Sequence, residues 1–510
     1  MPHIRFRLIL ALVFSLLLSG CGSMRSYDGE LKQTVTMMKT GSVNAALQDL
    51  EKNNSGKDED KDLLYFFEKG ELLRLTTDYE NSNQAWMRAD AKVREWEETA
   101  KTSPEKLLGN VGSFILNDRT RRYDGYDYEK VLLTSRIAMN HIGNGDWDKA
   151  RTEIKKTHER ESIIAQVREK QIEAAKAEAE KKNVNTTYKE LKGYPVEIFD
   201  DPEVTKLANG YQNAFTHYLA GFAYEALGEK SLAAPGYRKA MELRPDLPRL
   251  GKALENLDNQ KKRAGYTDVL FVVESGTAPA RESMQIPVPI PLGGRLGVVS
   301  ISFPVIRSDK STAMPSELSV NGKEKISLER ITNVDAMSRR SLKDDMPGIV
   351  GRNIVRAIAK GVIQKEAGDR GGLIGSLLAT AFTVVTEQAD ERSWRTLPAL
   401  ISIGRAQIPS GKHQLTVVGA QGSQEIEFTV NGSHAVVPVR LMSGSTYLMQ
   451  TNLPAVEPAS TIVASAEPIT APASASTTAA ASVPEVTATS EVKKTSTKTE
   501  TAVVSKKRKK

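Results

Sequence analysis

The sequence predicts a chain built α then β: a repeat-built α-solenoid, then a β-sandwich-like domain with a helical insertion, then a disordered tail. Three observations predict it. Small and aromatic residues recur at helix-hairpin spacing up to about residue 262, the apolar period changes from helical to alternating near Tyr266, and aromatics almost vanish after residue 452. The expected divisions are a leader over 1–20, a linker over 21–30, helices over 31–262, a β-rich domain over 263–452 with its insert at about 335–389, and a tail over 453–510.

In the leader, Arg5 and Arg7 form a positive n-region, Leu8 to Leu18 is apolar, and Leu18-Ser19-Gly20-Cys21 closes the segment. This order resembles the bacterial lipobox, which implies cleavage before Cys21 and acylation of its sulfur. An apolar run of about 11 residues is too short to span roughly 30 Å of hydrocarbon, so removal is the better reading. Acyl chains contribute about 0.8 kcal/mol per buried CH2, and the three of a bacterial lipoprotein would make the membrane anchor effectively permanent. Gly22 stands where an inner-membrane retention signal usually places Asp, so the same resemblance implies the outer membrane. Cys21 is the only cysteine, which leaves no disulfide, thiol metal site or thiol nucleophile in the mature chain.

The clearest helical unit runs from Phe215 to Pro248. Gly221 and Tyr224 lie on a first helix, Gly228 at a turn, Ala233, Tyr237 and Ala240 on a second helix, and Pro245 at its end. Small residues let antiparallel helices approach while aromatics fill the gaps between them. The unit resembles the tetratricopeptide repeat, with Pro235 as a departure expected to kink or delay the second helix. Weaker copies place Phe66, Gly70, Leu73, Ser82, Trp86 and Ala89 in one unit, and Ala138, Gly145-Asp146-Trp147, Ala150 and Ile154 in another. A half-match surrounds Gly41, Ala46 and Leu50. The expected repeat-packing residues are therefore Gly70, Trp86, Ala138, Ala150, Gly221, Tyr224, Ala233 and Tyr237.

Residues 148–182 are rich in Ala, Glu and Lys without Pro or Gly, which predicts a long helix projecting from the repeat, either a partner-binding arm or a solvated helix. Beyond Tyr266, strands are expected at Val269–Val273, Leu296–Ile306, Leu400–Ile403, His413–Val418, Glu425–Val430, Ala435–Leu441 and Thr446–Gln450. A hairpin is expected around Asn321-Gly322. Together they suggest a sandwich of seven or eight strands. Pro287, Pro289 and Pro291 belong on an edge or in an extended loop. In the insert, Ile354, Ile358 and Val362 share one helical face and Arg352, Arg356 and Lys360 another, a basic row for lipid headgroups, an acidic partner or solvent. Gly372 to Val385 reads as a buried core helix.

Four segments carry a wider resemblance: Tyr123-Asp124-Gly125-Tyr126-Asp127-Tyr128-Glu129-Lys130, Gly145-Asp146-Trp147, Ser275-Gly276-Thr277-Ala278-Pro279 and Asp390-Glu391-Arg392-Ser393-Trp394-Arg395-Thr396-Leu397-Pro398. Over roughly residues 21–450 the chain resembles a family of uncharacterised bacterial outer-membrane lipoproteins with tetratricopeptide-like helices and a β-rich C-terminal half. Members tend to be encoded near lipoproteins that activate penicillin-binding proteins, which implies a place in envelope assembly. Asp390, Arg392, Trp394 and Arg395 are the candidate binding residues. An arginine there would stack on Trp394 or grip a carboxylate; alternatively, Asp390 caps a turn and Trp394 plugs the joint between helices and strands.

Catalysis is not expected, and neither is a cofactor. Ser103-Pro104-Glu105-Lys106 and Lys39-Thr40-Gly41 stand in the wrong order for a penicillin-binding enzyme. His3, His141, His158, His217, His413 and His434 include no pair at metal-ligand spacing, and His217 is expected to pack inside a repeat. Gly368 to Gly375 lacks the Lys-Ser/Thr of a phosphate loop. Net charge is +7, with part of the excess in Arg5, Arg7 and the basic C-terminus, so nucleic acid is not an expected partner. The tail ends Lys506-Lys507-Arg508-Lys509-Lys510, which suits contact with peptidoglycan or another anionic envelope polymer, or simply solubility. The expectation is a lipid-anchored, periplasm-facing adaptor for envelope proteins, with a glycan-binding lipoprotein as the alternative.

Overall fold

A computed structural model describes residues 27–57, 59–103, 122–181, 187–259, 263–292, 295–309, 312, 314–358 and 388–450. The leader, Cys21, Pro104 to Lys106, Lys360, Val362, Gly368 to Gly375, the helix expected at Gly372–Val385 and the tail lie outside these residues. The N-terminal half is helical and the C-terminal half is built of β-sheets. Among the described residues no helix is long and apolar enough to cross a membrane.

The helices pair as hairpins: α1 (Tyr27–Lys39) with α2 (Val43–Asn53), α3 (Leu63–Leu75) with α4 (Tyr79–Thr102), α5 (Asp127–Gly143) with α6 (Trp147–Lys181), and α7 (Ala214–Ala226) with α8 (Lys230–Leu243). Each hairpin turns through a residue in the left-handed region: Gly41, Thr77, Gly145 and Gly228, with φ of 97°, 62°, 78° and 78°. Each left-handed residue donates its amide three residues back, and the following residue donates five back, as in Ser42 to Met37, Asp78 to Leu73, Asp146 to His141 and Glu229 to Tyr224. This is the Schellman pattern, which satisfies carbonyls that a helix end would otherwise leave unpaired. Helix α8 runs through Pro235. Helix α9 (Gly251–Asn259) leads into the sheets.

As far as Val167, helix α6 departs from the expected projecting arm. Ala150, Ile154, Ile163, Ile164 and Val167 are buried along it, and Arg160 is buried with Asp90 of α4 at 2.8 Å and Glu97 at 2.5 Å. Arg160 pairs between helices because the helix is packed into the bundle as far as Val167; beyond it no described residue of the helix is buried.

Eleven strands form three sheets among the described residues, where the pattern suggested one sandwich of seven or eight. They are β1 (Tyr266–Ser275), β2 (Arg281–Leu292), β3 (Arg295–Ile306), β4 (Glu317–Val320), β5 (Glu324–Ser327), β6 (Glu329–Asn333), β7 (Leu400–Pro409), β8 (Gly411–Gly419), β9 (Gly422–Val430), β10 (His434–Leu441) and β11 (Thr446–Leu448). The largest sheet runs β11-β10-β1-β7-β6, with β1 antiparallel to β7 and parallel to β10. Alternation along β1 assigns its two faces. Val269, Phe271 and Val273 pack with Leu415, Val417 and Phe428 of the sheet β5-β4-β8-β9, while Leu270 and Val272 pack with Phe215, Leu219 and Phe222 of α7. Burial on both faces explains why β1 reads as a continuous apolar run. At Asn321-Gly322 both residues have positive φ, 52° and 65°, as a two-residue hairpin between β4 and β5 requires.

Strands β2 and β3 form a separate hairpin. Pro287, Pro289 and Pro291 are two apart, so their ring nitrogens share one edge, and pairing with β3 persists through all three. A further helix, α10 (334–358), is capped by Asn333 accepting from the Ala336 amide at 3.0 Å, and packs Leu342, Met346 and Ile349 against Ile286, Ile301 and Phe303 of the hairpin. Of the basic row expected here, Arg356 is buried and donates to Asn353 at 3.0 Å, Arg352 is half-buried, and Lys360 lies outside the described residues.

Candidate functional site

Three of the segments singled out in the sequence meet where the helices join the central sheet. Residues 390–398 run irregularly into β7, and three successive amides there end on two buried carboxylates. Trp394 donates to Glu129 Oε1 of α5 at 2.8 Å, Arg395 to Glu68 Oε1 of α3 at 2.7 Å, and Thr396 to Glu68 Oε2 at 3.0 Å. The Tyr123 hydroxyl and the Tyr126 amide also donate to Glu129. From 275–279, Ala278 donates to the Leu397 carbonyl at 2.6 Å, and the Ala399 amide returns a bond to Ser275 at 3.0 Å. Burial pushes the Glu68 carboxyl up to about 8 and raises that of Glu129, in both cases against these hydrogen bonds.

The four candidate binding residues are engaged within the chain. Trp394 is fully buried, stacked on Phe67 with ring centres 4.3 Å apart and edge-on to Trp86. Its indole donates to Thr396 Oγ1 at 3.1 Å, so it offers no face to a ligand. Asp390 receives a bidentate grip from Arg392, two bonds of 2.8 Å, and its carbonyl accepts from Arg281 at 3.0 Å. Arg392 lies 5.2 Å from the Tyr123 ring centre, and Arg395 Nε donates to the Ala278 carbonyl at 3.3 Å. The segment is a plug between helices and sheet.

Beside the plug lies an ion network that the sequence reading missed. Glu274, near the end of β1, is gripped by Arg74 of α3 at 3.1 and 3.2 Å, by Arg136 of α5, and by Arg440 of β10 at 3.3 Å. Glu71 bridges Arg74 and Arg440 at 3.4 and 3.2 Å. All five side chains are buried. Burial alone would raise the Glu274 carboxyl, but Arg136, Arg74 and Arg440 pull it down to about 2. Single charges within apolar runs, as in Leu270-Phe271-Val272-Val273-Glu274 and Val436-Val437-Pro438-Val439-Arg440, were the available signal.

The residues expected to pack between repeats fall at close helix contacts or are buried. A Cβ on Gly70 would stand 2.2 Å from the Trp86 ring, and one on Gly221 2.6 Å from the Tyr237 ring. Ala138, Ala150, Ala233 and Tyr224 are buried. The histidines need a correction: no pair was visible at ligand spacing, yet His158 of α6 and His217 of α7 have ring centres 5.2 Å apart, with Glu161 Oε1 at 3.1 Å from His217 Nε2. Residues far apart in sequence meet because α7 docks on α6.

No family model matches this chain, and no curated protein or solved structure does.

Proposed function

We propose that the chain is a non-catalytic adaptor of the bacterial cell envelope, anchored through an acylated Cys21 in the outer membrane and facing the periplasm. The observation that carries this reading is the N-terminal order of Arg5 and Arg7, the apolar Leu8 to Leu18, and Leu18-Ser19-Gly20-Cys21, with no other cysteine in the chain. Four hairpins with the same turn hydrogen bonding support reading the helices as a tetratricopeptide-like solenoid, a scaffold suited to binding protein segments. The two larger sheets, facing each other across one core, are read as the sandwich-like part. The basic end of the tail would touch peptidoglycan or another anionic polymer. The glycan-binding alternative is the weaker one, because Trp394, its aromatic platform, is buried.

Cys21→Ser should abolish labelling by a palmitate analogue and release the protein from the membrane fraction. Unchanged fractionation with normal processing would end the lipoprotein reading. Photocrosslinkers placed at the exposed Ile172 and Leu232 should capture discrete envelope proteins. Sedimentation with purified peptidoglycan and no protein crosslink would favour the glycan reading instead.

A further inference from the structure

His158 and Glu161 stand one turn apart on α6, and His217 faces them from α7. One ligand atom from each lies within 4.8 Å of the other two. Glu161 is 5% exposed and His217 1%, whereas His158 reaches solvent.

Glu161 lacks the compensation that other buried carboxylates here possess. Asp90 has Arg160, Asp335 has Arg339, and Glu274 has three arginines. Glu68 and Glu129 take several backbone amides and tyrosine hydroxyls. Glu161 has Gln212 Nε2 at 3.1 Å and His217, with no lysine or arginine at ion-pair distance among the described residues. A carboxylate taken from water calls for a cation. The cluster thus presents two imidazole rings and a carboxylate to one point.

We propose that His158, Glu161 and His217 bind a divalent transition metal of the zinc class, with a fourth position open towards solvent beside His158. Two imidazoles and one carboxylate form a recognised zinc donor set. Bonds of about 2.0–2.2 Å in a tetrahedron separate ligand atoms by roughly 3.3–3.5 Å. The Glu161–His217 pair is already at 3.1 Å, and the exposed His158 closes the remaining gap by side-chain rotation. Gln212, on the other carboxylate oxygen, orients Glu161 as an outer partner of a metal ligand does. The second histidine-carboxylate cluster, Glu225, Asp268 and His434, already holds a cation: Arg405 Nη2 lies 2.8 Å from Glu225 and 2.7 Å from Asp268. The metal would staple α6 to α7, and the proposal stands independently of the adaptor reading.

The test uses the full chain, purified without a histidine tag, stripped with chelator and titrated with Co2+. One equivalent should bind with the visible absorption of four-coordinate cobalt, Zn2+ should bleach it, and Zn2+ should raise the melting temperature. His158→Ala, at an exposed position, should keep the metal-free melting temperature and weaken binding by about a hundredfold, Gln212→Ala should weaken it about tenfold, and His141→Ala should change nothing. His217→Ala should abolish the absorption; if that variant does not fold, His158→Ala decides. No cobalt absorption together with no zinc-dependent stabilisation, or binding unchanged in His158→Ala, overturns the proposal.

Discussion

At the residue scale, several buried charges find their partners in the opposite half of the chain. Glu274 answers three guanidiniums, so Glu274→Gln would leave them without their shared carboxylate. Breaking a buried pair costs about 3–5 kcal/mol, and urea denaturation should register a loss of that order. Linkage separates the two kinds of carboxylate. Glu274 is held at about 2 in the folded chain, below its ordinary 4.5, so its stabilisation is complete above pH 4.5 and lost as pH falls towards 2. Glu68 is opposite: raised from 4.5 to about 8, it keeps its proton in the fold where the unfolded chain has released it, and its contribution declines as pH rises from about 5 to 8. Denaturation midpoints at pH 5, 6.5 and 8 should fall in the wild type and fall less in Glu68→Gln. An equal slope in both would show that Glu68 is ionised throughout.

At the element scale, the four helical hairpins turn by the same hydrogen-bond pattern, and three of them place glycine at the left-handed position. Thr77 is the exception, at φ 62°. A β-branched residue there is strained by roughly 1–2 kcal/mol, while glycine regains freedom in the unfolded chain. Thr77→Gly should therefore stabilise by about 1 kcal/mol, and Gly228→Ala, at φ 78°, should destabilise by a similar amount. Thermal melting of both variants checks this; a loss in Thr77→Gly would mean that the Thr77 side chain contributes more than its backbone costs. Such turns are legible in sequence because the left-handed residue and the helix flanking it are neighbours. Helix α6 was not legible in the same way: its Ala-Glu-Lys composition resembles a solvated rod, and only the docking of α4, α5 and α7 around it shows that Arg160 is interior.

At the scale of the whole molecule, the change from helix to strand near Tyr266 marks no break in packing. All described residues belong to one compact unit, and β1 buries one face against helices and the other against a sheet. A fragment covering residues 22–259 would expose Arg74, Arg136, Glu68 and Glu129 without Glu274 or the 394–396 amides. It should fail to melt cooperatively, while the full chain should unfold in one calorimetric transition across both halves. A folded fragment with a sharp transition would show that the halves are separate domains.

By itself the sequence determined the order of elements: helical hairpins first, strands after, an Asn-Gly hairpin between β4 and β5, and prolines kept out of any central strand. These follow from apolar period, turn chemistry and missing donors, which act over a few residues. The tertiary structure alone decided that β10 runs parallel to β1, that Trp394 is a plug with no exposed face, that Glu274 gathers Arg74, Arg136 and Arg440, and that His158 meets His217 across Glu161. Each of these depends on which faces of distant elements are pressed together, and burial converts that placement into charge pairing and pKa shifts that no local pattern carries.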